Sequence, residues 1–399
     1  MANTNNNKTL NVPNLRFPEF KGEWKKCCIK DFGTVITGNT PPTKNEEYYT
    51  NGIKLWASPA DLGKDKYVID TNTKLSQSGF ERTRTLPIGS ILVTCIGSTI
   101  GKMGMAKYEM SSNQQINSVI ANDFTDRNFA YYAIQNAFPL YLSEVAVQAV
   151  PILSKSNFEK LPNCKPTLQE QRKLGKFIDL LDQRISTPNK IIEKLQSLIK
   201  GINDTIITLQ CGQLVAFETI YSSAGEGGTP TTSIVEFYKD GNIPFIKIDD
   251  LNSKYLLTNK DYITELGLKK SSAWLVPTNS IIYSNGATIG AISINKYPVC
   301  TKQGIIGIVP IPNIDVEYLY YLMSSSYFQK EVERIVTEGT MKTAYLKDIN
   351  HIKCPIPDLD KQKEIGQTLS ALSHKEDLER LLLQKYRILK QYLLSQMFI

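Results

Sequence analysis

The chain repeats itself at a nearly fixed spacing, and that register limits the folds open to it more than any single motif does. Thr40-Pro41 recurs as Thr229-Pro230, Tyr49 as Tyr238, Gly52 as Gly241, Trp56 as Phe245, and Asp61-Leu62 as Asp250-Leu251, each pair 189 residues apart. Gly97-Ser98-Thr99-Ile100-Gly101 recurs as Gly286-Ala287-Thr288-Ile289-Gly290, Gln114 as Gln303, and Tyr131-Tyr132 as Tyr320-Tyr321, again at 189. Pro166 and Gln171 then match Pro357 and Gln362 at 191. A duplication this long predicts two like globules, each with its own core, and not one large domain.

Each copy ends in a long helical pattern. Leu174, Ile178, Leu181, Ile185, Pro188, Ile192, Leu195, Ile199, Ile202, Ile206 and Leu209 alternate spacings of four and three, the seam of a coiled coil. Thr167 followed by Glu170 reads as a capping box that starts the helix. Pro188 lacks an N–H and crowds the preceding turn, which predicts a kink or short break recapped by Ser186 or Thr187. At about 1.5 Å per residue, a helix of this length spans roughly 60 Å, too long for one face of a small domain. In the second copy Leu382, Tyr386, Leu389, Leu393 and Met397 carry the seam, and Ser373 to Asp377 interrupts it.

The globules read as α+β. Gly89-Ser-Ile-Leu-Val-Thr and Asn279-Ser-Ile-Ile-Tyr-Ser are short, rich in β-formers and set as strands. Each Gly-x-Thr-Ile-Gly is a tight turn into another strand. Residues 129–147 and 318–336 have helical spacing of aromatic and aliphatic side chains, read as core. The expected order is a globule at 1–166, a helix at 167–211, a second globule at 212–357 and a second helix at 358–399. Antiparallel helices would close these parts into a pseudo-two-fold body.

Seven Cys with no Cys-x-x-Cys pair predict a reduced, cytoplasmic protein without a zinc site. The polar start and the lack of a long apolar run predict no membrane span. Charge is uneven: residues 1–167 carry 19 Lys and Arg against 14 Asp and Glu, residues 212–358 carry 13 against 15. Lys64, Lys66, Lys74, Arg82 and Arg84 cluster in the first copy, and Lys239, Lys247, Lys254, Lys260, Lys269 and Lys270 lie between the same landmarks in the second. A solvated face is the plain alternative for either cluster. Lys and Arg neutralise phosphates, whereas Arg, Asn and Gln read base edges through paired hydrogen bonds. The candidate DNA-facing residues are therefore Lys74, Arg82, Arg84, Thr99, Lys102 and Gln114, then Lys247, Lys269, Lys270, Thr288, Lys302 and Gln303. Both Gln side chains could instead satisfy buried backbone at a strand end.

Enzymatic machinery is sparse. The two His, His351 and His374, fall outside duplicated positions, which leaves little for a triad or metal cage. Asn39-Thr40-Pro41-Pro42-Thr43 departs from the Asp/Asn-Pro-Pro-aromatic motif of amino-methyltransferases by an inserted Thr and by Thr43 in place of the ring, so it reads as a turn opening the globule. Gly97-x-x-x-Gly101 is not followed by the Gly-Lys-Ser/Thr of a P-loop.

The duplicated order of Gly-x-Thr-Pro, Asp-Leu, Gly-x-Thr-Ile-Gly, Asn113-Gln114 or Lys302-Gln303, and Pro-x-Leu-x-x-Gln before a long helix resembles the specificity subunit of type I restriction-modification systems. The opening Leu15-Arg16-Phe17-Pro18-Glu19-Phe20-x-Gly22-Glu23-Trp24 is similar to the N-terminal segment of many of them. The resemblance implies two β-rich target-recognition domains, each reading one half of a bipartite asymmetric DNA site, and an antiparallel coiled coil that sets the spacer. It implies double-stranded DNA, two modification (methyltransferase) subunits and two restriction (translocase/endonuclease) subunits as partners. This chain would be non-catalytic and hold no cofactor or metal; S-adenosylmethionine, ATP and Mg²⁺ would belong to the partners. A duplicated scaffold that binds proteins only is the alternative.

Overall fold

The computed structural model describes residues 11–145, 152–208, 212–286, 288–336 and 342–399. Leu209 and Ala287, named above, and the last residues of the ranges 129–147 and 167–211 lie outside them. The chain divides into two compact units, residues 1–189 with 381–399, and residues 190–380.

The first globule runs β1 (Lys25–Cys28), β2 (Gly33–Thr37), β3 (Lys54–Ala57), β4 (Tyr67–Val68), β5 (Thr73–Leu75), α1 (Gln77–Phe80) and β6 (Ile91–Thr94). It continues through β7 (Met103–Ala106), β8 (Ser111–Ser112), β9 (Ile116–Ala121), α2 (Arg127–Val145), α3 (Lys155–Lys160) and β10 (Pro162–Lys165) into α4 (Leu168–Thr208). Its five-stranded sheet has the order β2-β9-β6-β7-β4, its three-stranded sheet β5-β3-β8, and β1 pairs with β10.

The second globule repeats this with β11 (Gln213–Ala216), β12 (Tyr221–Glu226), β13 (Ile243–Ile246), β14 (Tyr255–Leu256), β15 (Asp261–Ile263), α5 (Glu265–Lys269) and β16 (Ile281–Ser284). Next come β17 (Ile292–Asn295), β18 (Cys300–Thr301), β19 (Ile305–Pro310), α6 (Val316–Ser324), α7 (Ser326–Ile335), α8 (Leu346–Ile349), β20 (Lys353–Ile356) and α9 (Leu359–Met397). Its sheets are β12-β19-β16-β17-β14, β15-β13-β18 and β11-β20, the same topology strand for strand.

The central strands β6 and β16 are buried along their whole length because both faces are covered. Ile91 and Val93 of β6 point into the core with Val119, Met105 and Phe129, while Leu92 points the other way, to Leu62, Val68 and Ile116. In β16, Ile281 and Tyr283 divide from Ile282 in the same manner. The helical segment after β9 is one helix, α2, but its counterpart is two. Ser325 ends α6, and its side chain accepts the Phe328 N–H at 3.2 Å to cap α7.

The start of each long helix is fixed by a buried Gln. Gln171 accepts the Asp126 N–H at 3.0 Å and donates to the Pro166 carbonyl at 3.0 Å. Gln362 accepts the Asp315 N–H at 2.9 Å and donates to Pro357 O at 2.8 Å. The expected Thr167/Glu170 capping box is not formed, because Glu170 is engaged elsewhere: it takes Arg16 Nε at 2.7 Å and Trp24 Nε1 at 3.3 Å.

Pro188 brings neither a break nor a recapping, since α4 is helical throughout from Leu168 to Thr208. Pro188 itself is buried, and Thr187 Oγ1 donates to the Gln183 carbonyl at 3.1 Å within the helix. On the turns next to Pro188, Ile185 is half-buried and Ile192 buried, so packing continues past the missing N–H.

Along α4, Leu174, Ile178 and Ile192 are buried, and Leu181, Ile185, Leu195, Ile199 and Ile202 are half-buried. In α9 three of the five expected seam positions, Tyr386, Leu393 and Met397, are covered, and Leu383 and Lys390 take the places expected of Leu382 and Leu389. Leu382 and Leu389 are exposed at 39% and 43%, whereas Leu383, Tyr386, Lys390, Leu393 and Met397 are covered. Three leucines in a row, Leu381 to Leu383, satisfy either phase by hydrophobicity alone. Within the first unit the two helices run antiparallel. Trp24, bonded to Glu170, meets Phe398, and further along α4 Asp182 meets Lys390 at 2.6 Å. Phe398 stacks on Phe129 at 5.5 Å, which seats the end of α9 in the first core.

Candidate nucleic-acid interface

One end of the five-stranded sheet gathers most of the first-copy candidates. There β2 ends at Thr37 opposite Asn117, β6 ends at Thr94 opposite Ile116, and β7 begins at Met103 opposite Val93. The loops after β2, between β6 and β7, and before β9 therefore leave from the same edge. Gln114 accepts a hydrogen bond from Thr40 Oγ1 in the Gly-x-Thr-Pro turn. Thr99 and Lys102 close the Gly97–Gly101 turn, with Lys102 N donating to Thr99 O at 3.1 Å. Gly97 and Gly101 have φ of +97° and +89°, a conformation that favours Gly.

Arg82 and Arg84 are brought to this end by Asn39. Asn39 Nδ2 donates to Arg82 O at 2.8 Å, and Asn39 Oδ1 accepts the Arg84 N–H at 2.9 Å. The Arg84 guanidinium reaches back to Thr37 O at 2.7 Å. Both arginines are exposed.

The second copy builds the same edge with different side chains. Gln303 N meets Thr229 Oγ1 at 3.4 Å, Lys302 N donates to Ile246 O at 2.9 Å, and Glu226 Oε1 accepts the Gly304 N–H at 2.7 Å. Lys302, Gln303 and Thr288 are exposed there. The positions of Arg82 and Arg84 are Ser271 and Ala273, 189 residues on.

The other candidates are already paired or, like Lys270 before Ser271, lie beside the edge. Lys74 on β5 meets Asp70 at 2.9 Å, Lys247 meets Asp261 at 2.8 Å, and Lys269 sits 3.7 Å from Glu265. Lys270 follows α5 and is exposed. Two lysines counted in the basic clusters are internal, which removes them from any phosphate contact. Lys66 is held by Asp179 at 2.5 Å, Asn128 at 2.9 Å and Tyr132 OH at 3.0 Å. Burial lowers its pKa, against the opposing pull of Asp179. Lys254 is bound by Glu317, Tyr321 OH at 3.0 Å and Ser370 at 2.7 Å. Burial acts to lower its pKa too, but bonds to Glu317 and Tyr321 outweigh it and raise the value.

The edge thus offers Arg, Lys, Gln and Thr donors on loops held by a rigid sheet, the chemistry of phosphate and base-edge contact. Among the described residues no cluster of His, Cys, Asp and Glu could hold a metal, and no helix is long and apolar enough to cross a membrane. The bonding role of Asn39 was hidden from sequence reading; the signal was the variable position of the Gly-x-Thr-Pro turn, Asn39 in one copy and Gly228 in the other.

Two equivalent sheet ends thus carry unlike side chains on a duplicated frame. The chain belongs to the type I restriction modification DNA specificity domain family, whose model matches residues 21–197 and again 220–385. It is 23% identical to the MjaIX specificity subunit of Methanocaldococcus jannaschii over 376 residues, 87% of each chain. It is 29% identical to the EcoR124I/EcoR124II specificity subunit of Escherichia coli over 239 residues, 57% of this chain and 56% of that one. Among solved structures, the S subunit of a type I restriction-modification system from M. genitalium matches with a TM-score of 0.66 at 18% identity, covering 97% of this chain and 99% of that one.

Proposed function

We propose that this chain is the sequence-reading subunit of a type I restriction-modification complex, each globule reading one half of a bipartite asymmetric DNA site. The observation that carries this reading is the pair of equivalent sheet ends with unlike side chains, Arg82 and Arg84 in one copy, Ser271 and Ala273 in the other. Equal frames with unequal donors suit two unequal half-sites. Arg82, Arg84, Thr99, Lys102 and Gln114 would face the first half-site, Thr288, Lys302 and Gln303 the second. Lys74, Lys247, Lys269 and Lys270 would lie at the margin and contribute through phosphates.

The long helices would set the spacer and dock two modification subunits, and two restriction subunits would join that assembly. In the first unit α9 presents Leu381, Leu382, Ile388, Leu389 and Tyr392 to solvent, an apolar surface suited to a partner. S-adenosylmethionine, ATP and Mg²⁺ would act in those partners, in the cytoplasm. The test is binding of the chain, assembled with its methyltransferase subunits, to duplexes of varied sequence across a salt series. Exchange of residues 212–355 for those of a relative should change one half of the preferred site only. Binding without sequence preference would leave a protein-only scaffold.

A further inference from the structure

We infer that Asn39 is a positioning residue for sequence discrimination, and that the second position of each Gly-x-Thr-Pro turn sets how far the neighbouring loop stands from the sheet end. The inference rests on the reading just proposed and names a determinant within it.

Every polar group of Asn39 is used. Its N–H donates to Ser112 O at 2.9 Å, and its carbonyl accepts Trp56 Nε1 at 3.1 Å. Its side-chain amide spans residues 82–84, donating to Arg82 O and accepting from Arg84 N. That two-point bond copies the pairing of a β-ladder, and it fixes the backbone on which both arginines stand. Arg82 O and Arg84 N lie on an exposed loop, so without the amide they would exchange with water and the loop would lose one defined position.

Gly228 in the second copy shows the alternative spacing. A Cβ there would lie 2.2 Å from Ser272 Oγ and 2.5 Å from the Ala273 nitrogen. The equivalent loop therefore rests directly on the turn, with no side chain between them. One copy holds its loop off by the length of an amide side chain, and the other holds it in close contact. A bidentate arginine contact to a guanine edge tolerates little displacement, so the spacer decides whether Arg82 reaches base or backbone.

The test uses the chain assembled with its methyltransferase subunits and a panel of duplexes with single changes in each half-site. Asn39→Ala should reduce discrimination at positions of the first half-site by about tenfold, the scale of one bidentate contact. Discrimination in the second half-site and the salt slope should not change. Asn39→Asp keeps the acceptor for Arg84 N but loses the donor to Arg82 O, and should fall between. Amide exchange at Arg84 should quicken in the same order, a readout that does not require DNA. First-half discrimination intact in Asn39→Ala, or equal weakening on all duplexes, would overturn the inference. Absence of any sequence preference in the unsubstituted complex would instead remove the reading on which it rests.

Discussion

Lys66 Nζ lies 2.5 Å from Asp179 Oδ1, and the pair ties the loop before β4 to the long helix α4. Only 6% of the lysine side chain and 16% of the aspartate is exposed. Tyr132 completes the joint: it donates to Asp182 Oδ2 at 2.6 Å while its ring lies under Lys66 and Lys390. Removing one charge from such a pair strands the other away from water. Lys66→Met should therefore destabilise the first unit by about 3 kcal/mol, and Lys66→Met with Asp179→Leu should recover much of that. Denaturant unfolding reads both. A phosphate-contacting lysine would instead flatten the salt dependence of DNA binding without changing stability.

Lys254 is the corresponding joint of the second unit, and alkali should separate the two. The pKa of Lys66 is lowered by burial, so between that value and the ordinary 10.5 the unfolded chain binds more protons and stability rises with pH. The pKa of Lys254 is raised, so its contribution is complete below 10.5 and is lost as pH climbs through the raised value. Unfolding of the chain against its Lys66→Met and Lys254→Met variants should show a difference that rises with pH below 10.5 for Lys66 and one that falls with pH above 10.5 for Lys254. Parallel slopes would contradict the assignment.

Gln171 and Gln362 should each be worth about 1–3 kcal/mol, the cost of leaving buried backbone groups unpaired. Both are 1% exposed, and each bonds the loop ahead of a globular helix to the first turn of a long one. Gln171→Ala should lower the unfolding midpoint of the first unit and Gln362→Ala that of the second. Gln114 and Gln303, exposed at the sheet ends, should leave both midpoints in place when changed to Ala.

These glutamines mark where sequence reading reaches and where it stops. The repeat exposed Gln171 and Gln362 as equivalent, and the four/three spacing of apolar residues and the short runs of β-formers separated helix from strand. Charge carries no such record. Lys66 and Lys74 look alike in sequence, yet one is internal and the other meets Asp70 on the surface, since burial of an ammonium depends on a carboxylate far along the chain. Asn39 was visible as a turn residue, but its bonds to residues 82–84 are made across the fold. Pro188 was read by its local cost alone, and the break expected from that cost is absent from α4.

The grip and the reading should come apart at Arg82. Arg82 stands exposed on the loop that Asn39 fixes, and Lys269 stands exposed at the end of α5 beside Glu265. Arg82→Ala should cost about 1–3 kcal/mol on the preferred sequence and relax one position of the first half-site. Lys269→Ala should weaken all sequences alike and reduce the salt slope by about one unit. The same uniform loss in both variants would make Arg82 a phosphate contact.

The phase of α9 gives the sharpest separation of fold from assembly, because three adjacent leucines differ in exposure. Leu383 is 8% exposed, whereas Leu381 is 49% and Leu382 is 39% exposed, and Leu389, further along, is 43% exposed. Truncating the covered residue removes packing that the fold depends on, so Leu383→Ala should cost about 2–3 kcal/mol of stability. Leu382→Ala and Leu389→Ala remove side chains already in water, and each should stay within about 0.5 kcal/mol. If the exposed stripe docks a modification subunit, the order reverses in the assembly. If the two leucines are anchors of that contact, Leu382→Ala with Leu389→Ala should weaken association with the methyltransferase by about tenfold, the loss of more than about 1 kcal/mol that marks an anchor. Sedimentation of the mixed subunits measures the association, and denaturant unfolding of the chain alone measures the fold. Full assembly by the double variant would place the partner on another face of the helices, and a large loss of stability would return Leu382 and Leu389 to the seam.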